Sequence, residues 1–365
     1  MTIARQYQPE STFLSEPTMP TTTRREQQHH VLCCFFCLGI NLSFLITAMD
    51  LYAQEKVHHA EAHEVNSIQR QLGLDPHKNL TERIGDAPES VLSIFREAGL
   101  SPSSHLLTDD ERQKFAEATA ILPPLHQSIL KQRLRHISFL NNMPNTALTS
   151  MVTSSESYPL FDIAIRASIL HQSASEWMTE KESSCFDRRV TTFSLRTEIG
   201  NITALQYVFL HEATHIVDAI CQVTPTLPPD PSIPPNNSAT PFTEGVWEDA
   251  RTPINRYLDQ GLLSIRFRQG GKLVDASKMK EIYEALGRTP FVSLYGSSAR
   301  TEDLAEYFTV YHLTQKLKQP FRISVLDGDR EVLLHDPMNS EIVRARFTLM
   351  SPFYESMPSP PTADK

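Results

Sequence analysis

The chain has 365 residues, 40% of them hydrophobic and 21% charged, with a formal net charge of −9. This composition belongs to a globular protein with room for one large or two ordinary domains, and it excludes a fibrous or wholly disordered chain. The acidic balance, without any basic block or stripe, argues against a nucleic-acid partner.

Residues 1–53 read as a targeting region. Val31 to Ala48 is apolar apart from a few small or polar residues, and Arg24 and Arg25 precede it. The run suits a secretory signal cleaved after Ala48 or Ala53, or an uncleaved membrane anchor through residues 31–48. The protein is therefore expected to be exported (periplasmic, extracellular or envelope-associated) or held by a single-pass anchor. Cys33, Cys34 and Cys37 fall inside this run. That leaves Cys185 and Cys221, which read as one disulfide or as two buried free thiols.

Residues 54–125 are expected to form a mostly helical N-terminal region, with helices at 89–100 and 109–122 and a stop at Pro123-Pro124. The main domain is expected at 126–350. It opens with a strand at 135–140. Phe161, Ile163, Ile165, Ala167 and Ile169 then alternate along a second strand, which reads either as a substrate-binding edge or as an inner strand. A further strand is expected at 189–195.

His211-Glu212-Ala213-Thr214-His215 is the most informative stretch. Leu205, Val208, Phe209, Ile216, Ala219 and Ile220 recur around it at helical spacing, with Asn201 or Thr203 as N-cap. On a helix, two His four apart share a face and reach one metal ion, while Glu212 is placed to act on a water. A catalytic zinc takes three protein ligands. Asp218 sits awkwardly for the third and reads as a support for a ligand imidazole or nearby backbone. Between Pro225 and Pro241 stand seven prolines in seventeen residues. No helix or central strand survives that density, so 223–243 reads as an extended insertion, either a tolerated surface loop or a flap over the cleft.

Residues 244–286 read as helical with breaks at Pro253 and Gly270-Gly271. Another helix follows with Leu304, Phe308 and Tyr311 on one stripe and Glu302 and Glu306 four apart on a second face. Glu302 is the candidate third ligand. Glu306, one turn on, is placed to accept the free N–H of a ligand His. Tyr295, seven residues before Glu302, is a candidate donor to a developing oxyanion. Strands at 321–326 and 331–334 around Asp327-Gly328-Asp329 suggest a hairpin. A closing helix is expected at 340–350, and 351–365 as a disordered tail.

His211-Glu-Ala-Thr-His215-Ile-Val-Asp218, then Tyr295-Gly296, then Glu302-Asp-Leu-Ala-Glu306, resembles the catalytic domain of anthrax lethal factor and its relatives, the Pro-Pro endopeptidases. These are zincins of the gluzincin type. The resemblance spans roughly residues 130–320 and rests on the motifs. It implies one Zn2+ per chain held by His211, His215 and Glu302, with Glu212 as general base and Tyr295 as oxyanion donor. The separation of His215 from Glu302 is long for this family, and the proline-rich stretch lies within it.

The expectation is thus an α+β chain with a zincin-like domain: a small mixed sheet, the HExxH helix, a glutamate-bearing helix and an N-terminal helical subdomain. Its expected activity is zinc-dependent hydrolysis of peptide or protein substrates by a zinc-activated water. Two rivals stand beside it. One is a catalytically weak zincin-fold binding protein of the cell envelope, and the other is an envelope interaction protein whose HExxH is accidental.

Overall fold

The computed structural model describes residues 69–355 except 72, 98, 153–157, 190 and 226–237. The targeting region 1–53, the stretch 54–68 and most of the proline-rich insertion lie outside the described residues. So does the tail from 356. Among the described residues, no helix is long and apolar enough to cross a membrane.

The architecture is mixed α+β. In chain order it begins with α1 (Glu89–Glu97), β1 (Ser103–Ser104), α2 (Asp109–Ala120), α3 (Pro124–Arg133), β2 (Leu134–Asn141), β3 (Ala147–Val152) and β4 (Leu160–Arg166). Next come α4 (Ala174–Ser183), β5 (Phe186–Asp187), β6 (Phe193–Glu198), α5 (Ala204–Cys221), α6 (Gln260–Ser264), β7 (Val274–Asp275) and α7 (Met279–Leu286). The chain closes with α8 (Arg300–Tyr311), β8 (Arg322–Asp327), β9 (Arg330–His335) and α9 (Glu341–Arg344).

The larger sheet has the order β1-β2-β4-β3. β2 and β4 are parallel, and β3 runs antiparallel along β4 with Thr149 opposite Ile163. β4 is therefore an inner strand and β3 is the edge. Phe161, Ile163 and Ile165 enter the main core, while Ala164 packs with Val91, Phe95 and Leu140 on the other face. Because both faces of β4 are covered, every residue from Leu160 to Ile165 is buried. Even Asp162 is enclosed, accepting two hydrogen bonds from Arg135. The alternation expected through Ile169 stops at Arg166, where a 3-10 turn, Ala167–His171, takes over. A second, antiparallel sheet has the order β6-β8-β9. β8 and β9 form the expected hairpin, with Gly328 at φ 59° in its turn, where left-handed backbone favours glycine.

α5 runs through the centre, packed against α2, α3, α4 and α8. Thr203 caps it in a reciprocal pair. Its Oγ1 accepts from Gln206 N (3.1 Å), and Gln206 Oε1 accepts from Thr203 N (2.9 Å). Gln222, at φ 52°, ends it by donating its N–H to Asp218 O (2.7 Å). α2 and α3 share this core through Phe115, Ala118, Ile129 and Leu130.

Four expectations need correction. Residues 244–286 are helical only in pieces, α6, α7 and two 3-10 turns at Asn255–Tyr257 and Ala276–Lys278, and Trp247 is buried by a turn. The closing helix is four residues long, and a 3-10 segment, Phe347–Tyr354, follows it. Phe353 is buried there, so 351–355 is ordered rather than the start of a tail. Cys185 is a buried free thiol and Cys221 an exposed one, so the two form no disulfide.

The core encloses three neutral imidazoles. Burial lowers His126 to about 3 and His312 and His335 to about 4. His126 is also disfavoured as a cation by His312. All three lie below the unfolded value of about 6.5, so the unfolded chain binds more protons as pH falls, and stability present above 6.5 is lost. Glu182 works in the opposite direction, because burial raises its carboxyl to about 7. Between pH 6.5 and 5 each imidazole is expected to remove somewhat under ~2 kcal/mol and Glu182 to return a similar amount, a net loss of roughly 3 kcal/mol. Urea unfolding of the protein with metal ions removed by a chelator measures this at the two pH values, and equal midpoints would contradict it.

Candidate metal centre

His211 and His215 sit one turn apart on the same face of α5, with their Nε2 atoms 3.2 Å from each other. Glu302, in the first turn of α8, brings Oε2 to 3.3 Å from His211 Nε2 and 3.5 Å from His215 Nε2. The three side chains are a candidate ligand cluster, each offering one ligand atom. Zinc bonds of about 2.0–2.1 Å at a tetrahedral angle put ligand atoms roughly 3.3–3.4 Å apart, so the observed triangle fits zinc. Glu302 Oε2 is also buried and makes no well-aligned hydrogen bond. A carboxylate oxygen and two imidazole nitrogens converging in this way repel one another unless a cation or a proton stands between them.

Glu306 supports the cluster from behind. Its side chain is completely buried, and Oε1 lies 3.1 Å from both His211 Nδ1 and Lys181 Nζ. Oε2 accepts from Tyr207 OH (3.0 Å) and Ser293 Oγ (2.7 Å). Burial alone would push this carboxyl up, but Lys181, His211 and Ser293 outweigh it and hold the group at about 2. Glu306 is thus a fixed anion. Its negative charge 3.1 Å away favours a proton on His211 Nδ1, which leaves Nε2 as the atom facing the candidate cluster. In the zinc-free chain, burial works against a charged His211, yet Glu302 and Glu306 raise its pKa to about 9. A metal ion entering this cluster would have to displace protons.

Glu212 is not one of the three clustered side chains, but its charge is felt at His215 and at Tyr295. Its Oε2 accepts a hydrogen bond of 2.6 Å from Thr149 Oγ1 on the edge strand β3. The Tyr295 ring lies 5.9 Å from the His211 ring, edge-on to Phe267, with Lys181 Nζ 3.8 Å from its centroid. Burial and the charges of Glu302, Glu212 and Glu306 push the Tyr295 phenol well above its ordinary pKa, so it remains an O–H donor. Of the two roles expected for Asp218, its contacts among the described residues are of the second kind, with nearby backbone and not with either histidine. Asp218 accepts from Thr224 N (2.7 Å) and Thr224 Oγ1 (2.6 Å), fixing the chain as it leaves α5.

The long separation between His215 and Glu302 is closed by a few specific contacts. Thr240 Oγ1 donates to Val223 O (2.6 Å), so the two ends of the proline-rich insertion meet. Arg300 donates to Pro225 O (2.8 Å) and, through its backbone N, to Ala250 O (3.0 Å). Trp247 Nε1 donates to Asp303 Oδ2 (2.9 Å). These bonds seat the first turn of α8 against the end of α5 and deliver Glu302 to the two histidines.

The sequence reading missed Thr149, Lys181, Tyr207 and Ser293. Tyr207 carried a usable signal, since it lies four residues before His211 on the same helical face. The other three come from separate elements with no spacing relation to the motif.

No protein-family model matches the chain, and comparisons with curated proteins and with solved structures give no significant match.

Proposed function

We propose that the chain is a zinc-dependent metalloendopeptidase with a zincin-like, gluzincin-type catalytic domain, exported or anchored through its apolar run at 31–48. The observation that carries this reading is the convergence of His211 Nε2, His215 Nε2 and Glu302 Oε2 at mutual distances of 3.2, 3.3 and 3.5 Å beside Glu212. A bound zinc supplies Lewis acidity, lowering the pKa of a water and polarising a peptide carbonyl.

The chain's own residues do the rest. Glu212 takes a proton on its carboxylate and passes it to the leaving amine. Tyr295, kept protonated, donates a hydrogen bond to the developing oxyanion. Glu306 holds His211 in the tautomer that presents Nε2. Among the described residues β3 is an edge strand that pairs only with β4, and an extended peptide is expected to add to its outer edge as a further strand. The expected substrate is therefore a peptide or an extended segment of a protein.

Zinc titration of the purified protein and cleavage profiling on a mixed peptide library test the reading. One zinc per chain and cleavage abolished by a chelator are expected. Glu302→Ala should bind zinc far more weakly while keeping its fold. A parent protein that takes up no zinc when zinc is supplied, or a zinc-loaded parent that cleaves nothing, would overturn the proposal.

A further inference from the structure

Glu212 sits on α5, but what orients its carboxylate lies on another element. Among the described residues, Thr149 Oγ1 makes the one side-chain hydrogen bond to it, at 2.6 Å to Oε2. An ionised carboxylate only accepts, so the hydroxyl is the donor, and the distance is that of a charge-assisted O–H···O− bond. Glu212 is 9% exposed and Thr149 half-buried, so this bond is partly shielded from competing water.

The strand dictates where that hydroxyl points. Side chains alternate along β3, putting Ala147, Thr149 and Met151 on one face and Leu148, Ser150 and Val152 on the other. Leu148 packs into the cluster around Val91 and Phe95, and Ser150 Oγ donates to Asp162 O (3.5 Å). The Thr149 face is thus the one turned to α5. Antiparallel pairing with β4 fixes the backbone at this position, Thr149 lying opposite the fully buried Ile163. The β-branched side chain of Thr then has few rotamers in which to aim its hydroxyl.

Resting on the peptidase reading, we propose that Thr149 is a positioning residue for the general base: it ties Glu212 Oε2 to the docking strand and leaves Oε1 as the proton-accepting atom. The consequence is a coupling between substrate and base. The residue that orients the carboxylate belongs to the strand whose backbone receives the peptide. Alignment of the peptide along β3 and alignment of the base are therefore set by one element, although Glu212 and Thr149 are far apart in sequence. A base held only by its own helix would keep its rotamer freedom.

The test compares the zinc-loaded parent with Thr149→Val and Thr149→Ser on one peptide that the parent cleaves. Val keeps the shape and the β-branch but removes the donor. It should lower kcat about 10- to 100-fold, the effect of losing a hydrogen bond to a charged group, with KM within about twofold of the parent. Ser restores the donor and should recover most of kcat. Zinc stoichiometry, zinc affinity by chelator competition and the urea unfolding midpoint should match the parent in both variants. In a Glu212→Ala background, Thr149→Val should cost nothing further, because the group it orients is gone. Unchanged kcat in Thr149→Val, a loss that Ser does not restore, a loss that follows zinc release, or a full additional loss in the Glu212→Ala background would each overturn the assignment. If the zinc-loaded parent cleaves nothing, the peptidase reading falls and takes this assignment with it. If the parent cleaves and Thr149→Val matches it, the assignment alone falls.

Discussion

Glu212→Ala is expected to lower kcat/KM by roughly 10²–10⁴-fold, the range for removing a general base, while the protein still binds one zinc per chain. The separation of these two effects follows from the geometry. The ligand cluster comprises His211, His215 and Glu302, and Glu212 is not part of it. Its carboxylate is held toward β3 by Thr149. Removing it takes away the proposed proton acceptor without touching the candidate ligand triangle. Glu302→Ala should behave in the opposite way, losing activity because it loses zinc. Cleavage rates measured beside metal content for both variants distinguish the roles. A zinc-loaded Glu212→Ala protein that cleaves as fast as the parent would sink the mechanism, whatever the fate of the metal site.

The parts of this site that were legible in the sequence are those written at helical spacing. His211 and His215 share a face because four residues make about one turn, and the apolar residues around them announce a buried helix. Glu302 and Glu306 were legible for the same reason. They follow a stripe formed by Leu304 and Phe308, which are fully buried, with Tyr311 partly buried beside them. What could not be read was the closure of the chain between these helices. That depends on Arg300 meeting Pro225, Trp247 meeting Asp303 and Thr240 meeting Val223, contacts that follow no periodicity. The edge strand was missed for a different reason. Ala147–Val152 is half-buried or exposed throughout, with Thr and Ser at its centre, so its hydrophobic pattern is weak. β4 gave the stronger alternating signal because its main-core face is the more apolar, even though both of its faces are covered. In 244–286, apolar residues suggested helix, but Val246 and Trp247 are buried by a hydrogen-bonded turn that no helical period encodes.

Arg346→Ala is expected to destabilise the fold by about 3–5 kcal/mol, the usual cost of leaving one member of a buried ion pair without its partner. Asp303, next to the candidate ligand Glu302, is completely buried. It accepts from Arg346 Nη1 (3.1 Å) and Nη2 (2.7 Å), and Trp247 Nε1 donates to it as well. The guanidinium lies 3.9 Å from the Phe242 ring centroid and 4.6 Å from that of Tyr307, so it is packed as well as paired. Burial raises the Asp303 pKa, and Arg346 and Trp247 work against that rise. Without Arg346 the carboxylate must take up a proton or pull out toward water, and either change disturbs the first turn of α8. Zinc affinity should therefore fall together with stability, although Arg346 is not part of the ligand cluster. Exchanging Asp303 and Arg346 together for apolar residues of similar size should cost less than Arg346→Ala, because no charge is then stranded. Urea unfolding with and without zinc, paired with chelator competition, reads both effects. An Arg346→Ala protein with the parent's midpoint and the parent's zinc affinity would show that the site does not lean on this pair. A loss of stability at unchanged zinc affinity would show that Glu302 is held by the backbone of α8 and its bonds to Pro225 and Ala250 rather than through Asp303.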